Sequence, residues 1–252
     1  MLKKKDKAAL DSKLHSIIIS HLTKIDEYVY KGQQRKQEIS VSFENDPLYS
    51  IFGLNSPEYI AAALSGGIIT SIHRKIGDAY EECVREIVAA NFSLTHDQIS
   101  YSAPIASGTA TMERSLDCLL RLSDCGTKAK SRVLALAQQE INQLTQTPRI
   151  TIAGIGFEIR HCYQSADSKR AQADEAMARH LLVSGFVPIM LVFCNQSNQS
   201  ILHRYRATWI VKEGMDSYNL VRQLTGYDYY GFLNRHKADF QPIVRRALRK
   251  MR

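Results

Sequence analysis

Over residues 8–30 the apolar positions Leu10, Leu14, Ile17, Ile18, Leu22, Ile25 and Val29 recur at steps of three and four. That spacing predicts an amphipathic helix. The polar stretch KGQQRKQE at 31–38 reads as a surface loop, and 39–43 as a short strand closed by Asn45-Asp46-Pro47. Ser56 followed by Pro57 has the chemistry of a helix start. The helix expected over 58–64 is interrupted at Gly66-Gly67, and a second helical pattern covers 72–91. Its stripe is Ile76, Tyr80, Cys83, Val84, Ile87 and Val88.

Past residue 99 the period shortens. Residues 99–105 have strand character, with a turn at Ser107-Gly108-Thr109. In MERSLDCLLRL, Leu116, Cys118, Leu120 and Leu122 alternate with Glu113, Ser115, Asp117, Leu119 and Arg121. A helix would instead group Met112, Leu116, Leu119 and Leu120, and periodicity alone leaves both open, with strand favoured. A helix over 127–144 stops at Thr147-Pro148 and leads into ITIAGIGFEIRHCYQSADSKR, residues 150–170. As a strand, this stretch puts Glu158, Arg160 and Cys162 on one face and Phe157, Ile159 and His161 on the other. Asp167 or Ser168 can cap a helix that runs to Val183 and ends at Gly185. The apolar run VPIMLVFC at 187–194 has the composition of a strand buried on both faces. Helices are expected near 217–224 and over 229–252.

Strand, helix, strand in sequence predicts an α/β fold: a mixed central β-sheet flanked by helices, with an α-helical N-terminal part. The expected organisation is one domain over 1–252, comprising a helical portion at 1–70, a core at 72–226 and a basic helix at 227–252.

Composition adds a charge. With 33 Lys+Arg against 25 Asp+Glu the formal net charge is +8, which favours polyanionic partners, nucleic acid first. The five cysteines form no CxxC, so neither a zinc site nor a disulfide framework is signalled, and reduced, buried thiols are expected. No run approaches the roughly 20 apolar residues that span a bilayer. MLKKKDKAALDSKLHS lacks an apolar signal core, so a soluble cytoplasmic protein with no membrane contact is expected.

Gly154 and Gly156 give GxG inside a strand without the third glycine of a dinucleotide site, and no P-loop, HExxH or GxSxG is present. His161 and Cys162 are neighbours, so on a strand they point to opposite faces, against a Cys–His hydrolase. Carboxylates remain. Asp117 and Glu158 on adjacent strands can hold Mg2+ through oxygen, leaving positions for water and phosphate. Arg160 stands in the position of the assisting cation. Glu81, four residues after Gly77, either supports such a site from a helix or is part of an exposed acidic surface.

An acidic residue followed, after a gap, by Glu-x-cation at a strand end resembles the PD-(D/E)xK nuclease superfamily. FEIRHCYQSADSKR and VPIMLVFC are similar to its type II restriction endonucleases, and WIVKEG with LVRQLTG to the ApaLI-like ones. GDAYE at 77–81 is similar to the leading helix, where a glutamate supports the metal. The resemblance spans about residues 72–226. It implies Mg2+-dependent hydrolysis of double-stranded DNA at a short palindromic site, by a homodimer, beside a DNA methyltransferase of the same specificity. It also implies metal ligation by Asp117 and Glu158. The chain departs from the pattern in two places. Arginine, which stays protonated, stands at 160 where the family has lysine, so the role either stays with Arg160 or moves to Lys169 near Asp167. The carboxylate could likewise move to Glu175. A long helical insertion also separates Asp117 from Glu158.

His203, Arg204 and Arg206, interleaved with Tyr205, have the make-up of a DNA contact, as do Arg235 and Lys237 near Tyr227, Tyr229 and Tyr230. A non-enzymatic nucleic-acid-binding protein would carry the same basic residues over an inert sheet.

Overall fold

The computed structural model describes residues 3–44, 51, 54–107, 110–144, 150–163 and 168–249, setting aside the side chains of 26–40, 42–44, 64, 68, 106–107, 110 and 168–169. Expectations at Asn45-Asp46-Pro47, Gly108-Thr109, Thr147-Pro148 and Asp167 lie outside the described residues.

Helix α1 is a single piece over Lys4–Glu44, so the loop expected at 31–38 and the strand at 39–43 are both helix. Over 31–38 Gln, Lys, Arg and Glu are strong helix formers and Gly32 is the one weak position, while at 39–43 the helix continues through Ile39, Val41 and Phe43, which are weaker formers. Summed propensity outweighs polarity. Helix α2 covers Pro57–Phe92, its start capped by Ser56 Oγ, which accepts from Tyr59 N at 3.3 Å. It runs through Gly66-Gly67 without interruption. Two mid-helix glycines cost only about 1 kcal/mol each relative to alanine.

A short helix α3, His96–Ile99, precedes strands β1 (Tyr101–Ser107), β2 (Ala110–Leu116) and β3 (Cys118–Arg121). Then come α4 (Thr127–Ile141), β4 (Gly154–Arg160), α5 (Ser168–Val183) and β5 (Phe186–Val192). The chain closes with α6 (Gln199–Tyr205), β6 (Ile210–Glu213), α7 (Met215–Thr225) and α8 (Tyr229–Arg249). β1 and β2 form an antiparallel pair, while β3-β4-β5-β6 make a mixed sheet, antiparallel at β3/β4 and parallel thereafter. Helices flank this sheet, so the α/β class and the helical N-terminal part are as the sequence led us to expect.

The strand reading of 112–122 holds through Arg121, with Leu122 starting a 3-10 turn, and the alternation shifts phase at Asp117, which separates β2 from β3. Leu116 and Leu119 therefore enter the same core, with Met177, Leu181, Met190 and Trp209. Ile155, Phe157, Ile159, Ile189 and Leu191, at the alternate positions of β4 and β5, are also buried. Both strands are covered on both faces, which explains the near-continuous apolar run at 187–194. Gly185, at φ +82°, ends α5 in the left-handed conformation that favours glycine.

The described chain groups into two compact units. One takes residues 1–14 and 80–232 and contains both sheets; the other takes 15–79 and 233–252 and is helical. None of the described helices is long and apolar enough to cross a membrane.

Candidate functional site

Strand register assembles the site. Cys118 pairs with Phe157 across β3/β4, so one step further Asp117 falls opposite Glu158. Across β4/β5, Glu158 pairs with Met190 and Arg160 with Val192, which puts both charged residues on the sheet face covered by α5. Gly156 brings the helix down. A Cβ there would lie 2.8 Å from Leu181 Cδ1, so any larger residue would require the Leu181 side chain to shift for α5 to keep this approach to β4.

Asp117, Glu158 and Arg160 converge. Asp117 Oδ2 accepts from the Ile159 backbone N–H at 2.6 Å and from Arg160 Nη1 at 3.1 Å. Arg160 Nη2 contacts Glu158 Oε1. The side chains of Glu158, Asp117 and Arg160 are 7%, 14% and 19% exposed, so one largely buried cation answers two largely buried carboxylates. Burial pushes the Asp117 carboxyl above its ordinary value, against the opposing pull of Arg160 and the Ile159 N–H. Burial is the largest influence and works against the Arg160 charge, but Asp117, Tyr163 and Asp174 together more than offset it and the guanidinium stays protonated. Arg160 Nε is buried without a close hydrogen-bond acceptor among the described residues, as is the hydroxyl of Tyr163, which interacts with this guanidinium.

Glu158 and Arg160 open on a cavity of about 570 Å³, walled also by Glu113 and Ser115 from β2 and by Arg170 and Asp174 from α5, whereas Asp117 is not among its lining residues. Asp174 is fixed from behind: Tyr205 Oη donates to its Oδ2 at 2.9 Å, and Trp209 Nε1 donates to its backbone oxygen at 3.0 Å. Asp174 and Arg170 are the site residues that the strand pattern did not reveal. Their signal was helical: 170, 173, 174 and 177 are spaced as one face of α5, and Met177 on that face is core.

Other expected residues fall elsewhere. Glu81 lies 4.0 Å from Arg85 one turn on and does not wall the cavity. Glu175 is half-buried outside it, and Asp174 is the α5 carboxylate in the wall. Lys169 belongs to the first turn of α5, and its side chain lies outside the described residues. His203, Arg204 and Arg206 are exposed around the end of α6, with Arg206 3.9 Å from Glu213. Tyr205 between them is buried on Asp174, which removes it as a surface aromatic. Arg235 and Lys237 are exposed on α8 in the helical unit, whereas Tyr227 and Tyr229 are buried.

The expectation of five reduced thiols is corrected. Cys162 and Cys194 form a disulfide, with Cα atoms 5.6 Å apart. The β4/β5 register carries an offset of 32 residues from Arg160/Val192, so two positions on, Cys162 and Cys194 are side by side. A bonded Cys162 is no nucleophile, which removes the Cys–His hydrolase reading. Cys83, Cys118 and Cys125 are free and buried.

The donor set fits a hard divalent cation in kind. Asp117 and Glu158 offer carboxylate oxygens, and both described bonds to Asp117 fall on Oδ2, leaving Oδ1. The departure is Arg160, which any such ion would have to share the carboxylates with. The chain matches no protein-family model, no curated protein and no solved structure.

Proposed function

We propose that this chain is a Mg2+-dependent deoxyribonuclease, a type II restriction endonuclease of the PD-(D/E)xK kind with the restriction-endonuclease-like, ApaLI-like architecture. Its substrate is double-stranded DNA, cut at a short palindromic site. The observation that carries this reading is the convergence of Asp117, in the bend between β2 and β3, and Glu158, on β4, on Arg160, with Glu158 and Arg160 in the wall of a polar cavity.

Asp117 and Glu158 hold Mg2+, which when bound neutralises charge on the phosphate and acidifies a water. Arg160 cannot accept a proton. It therefore orients: its guanidinium fixes both carboxylates. Arg170, on the opposite wall, faces the same phosphate. Asp174, with one oxygen held by Tyr205, takes the proton that Arg160 cannot. Lys169, at the start of α5, is the other residue for that task. The exposed His203, Arg204 and Arg206 contact the DNA backbone, joined by Arg235 and Lys237. A palindromic target implies a homodimer, and the proposed restriction role brings with it a cytoplasmic setting and a DNA methyltransferase that modifies the same site.

Incubating plasmid with the protein and Mg2+, beside an EDTA control, tests the reading. Discrete fragments that vanish with EDTA are expected. A salt-sensitive mobility shift without cutting would instead indicate a nucleic-acid binder with an inert sheet.

A further inference from the structure

A second group of metal-ligating side chains lies in the helical unit, apart from the carboxylate site. His15 on α1 and His236 and Asp239 on α8 each present one ligand atom, and the three atoms lie within 4.8 Å of one another. The geometry points to a transition-metal site here, a zinc-class divalent ion held by two imidazoles and one carboxylate that braces α1 against α8.

Three features support it. First, the donor types are right: two histidine nitrogens and a carboxylate oxygen suit zinc, cobalt, nickel or ferrous iron, and are a poor set for Mg2+. Second, the spacing is right. His15 Nε2 lies 3.1 Å and His236 Nδ1 3.3 Å from Asp239 Oδ2. Two donors bound to one ion at about 2.0–2.1 Å are separated by roughly 3.0 Å in octahedral and 3.4 Å in tetrahedral geometry. The two separations to Asp239 Oδ2 fall in that interval, and the two imidazole nitrogens lie within 4.8 Å of each other.

Third, the ligands are held in place. His236, Asp239 and Phe240 share a face of α8 by their spacing. The Phe240 ring lies 5.5 Å from His15 and 6.2 Å from His236, and the two imidazoles meet edge-on at 4.9 Å. Asp239 is 52% exposed and the histidines about a third, so water can complete the coordination. A site with three protein ligands and water is open, and exchanges its ion more readily than a closed four-ligand one.

The test is zinc competition against a chromophoric chelator, using untagged full-length protein stripped with EDTA. Wild type and Glu158→Ala should each take up one zinc with micromolar or tighter affinity. The double variant His15→Gln/His236→Gln keeps side-chain donors to Asp239 without imidazole nitrogens. It should bind zinc more weakly by more than the roughly 10–100-fold that loss of an outer-shell partner brings. Zinc should also raise the unfolding midpoint of wild type and leave that of the double variant unmoved. If the double variant does not fold, nitrogen NMR of the wild-type histidine rings decides: two rings should shift on zinc addition, and none shifting overturns the site. Equal affinity in wild type and double variant, or no micromolar uptake by wild type, also overturns it. The Glu158→Ala comparison keeps this result separate from the nuclease reading.

Discussion

Replacing Arg160 by leucine removes one cation from between two carboxylates and leaves both in a space that is 7% exposed at Glu158 and 14% at Asp117. Breaking a buried ion pair by deleting one partner costs about 3–5 kcal/mol, because the remaining charge is left unanswered. The polar cavity beside Arg160 admits water, so the lower end applies, about 3 kcal/mol. For a chain of this size each kcal/mol moves the thermal midpoint by roughly 2–4 °C, giving a loss of roughly 6–12 °C in EDTA. Mg2+ should then act as the missing cation. At a concentration of 100 times its dissociation constant a ligand contributes about 2.7 kcal/mol, close to the whole deficit. Urea unfolding of wild type and Arg160→Leu, each with EDTA and with Mg2+, measures all four states. The expected pattern is a large loss in EDTA and near recovery in Mg2+. Wild type should gain less, because its guanidinium competes for the same carboxylates. A loss of about 0.5 kcal/mol or less, the range of an ordinary surface substitution, would refute the reasoning. So would equal Mg2+ stabilisation of both proteins.

The Mg2+ requirement should depend on pH. A carboxylate binds metal only when ionised, and burial raises the Asp117 carboxyl above the ordinary 3.8. The Mg2+ concentration for half-maximal cutting should therefore begin to rise, as pH falls, at a higher pH than an unperturbed carboxylate would give. Asp117→Asn should remove that dependence along with metal affinity. Alkylation of the denatured protein followed by mass spectrometry should find three reactive thiols without reductant and five with it. In the native protein Cys83 and Cys118, pushed up to about 12 by burial, should resist alkylation at mildly alkaline pH. Five thiols in the absence of reductant would contradict the Cys162–Cys194 bond.

What the sequence made legible was local. Period two placed Glu158 and Arg160 on one strand face, and the acid-rich alternation before Leu119 marked Asp117. All three meet because those strands are neighbours in the sheet. Arg170 and Asp174 were hidden because nothing in α5 says which of its faces lies over β4. That is decided by a contact 25 residues apart in the chain, Leu181 against Gly156. The disulfide was hidden for the same reason, since it follows from the parallel β4/β5 register and not from cysteine spacing. Polarity misled at 31–38, where strong helix formers extend α1; β-branched and aromatic residues misled at 39–43, which α1 carries through; and glycine misled at 66–67, where α2 absorbs both residues.

The whole reading turns on Glu158. Single-turnover cleavage of supercoiled plasmid in Mg2+ by wild type and Glu158→Ala, with a mobility shift on the same DNA, tests it directly. Wild type should cut and stop with EDTA, while Glu158→Ala should bind the DNA with unchanged salt dependence and leave it intact. Cutting by Glu158→Ala at the wild-type rate would contradict the assignment.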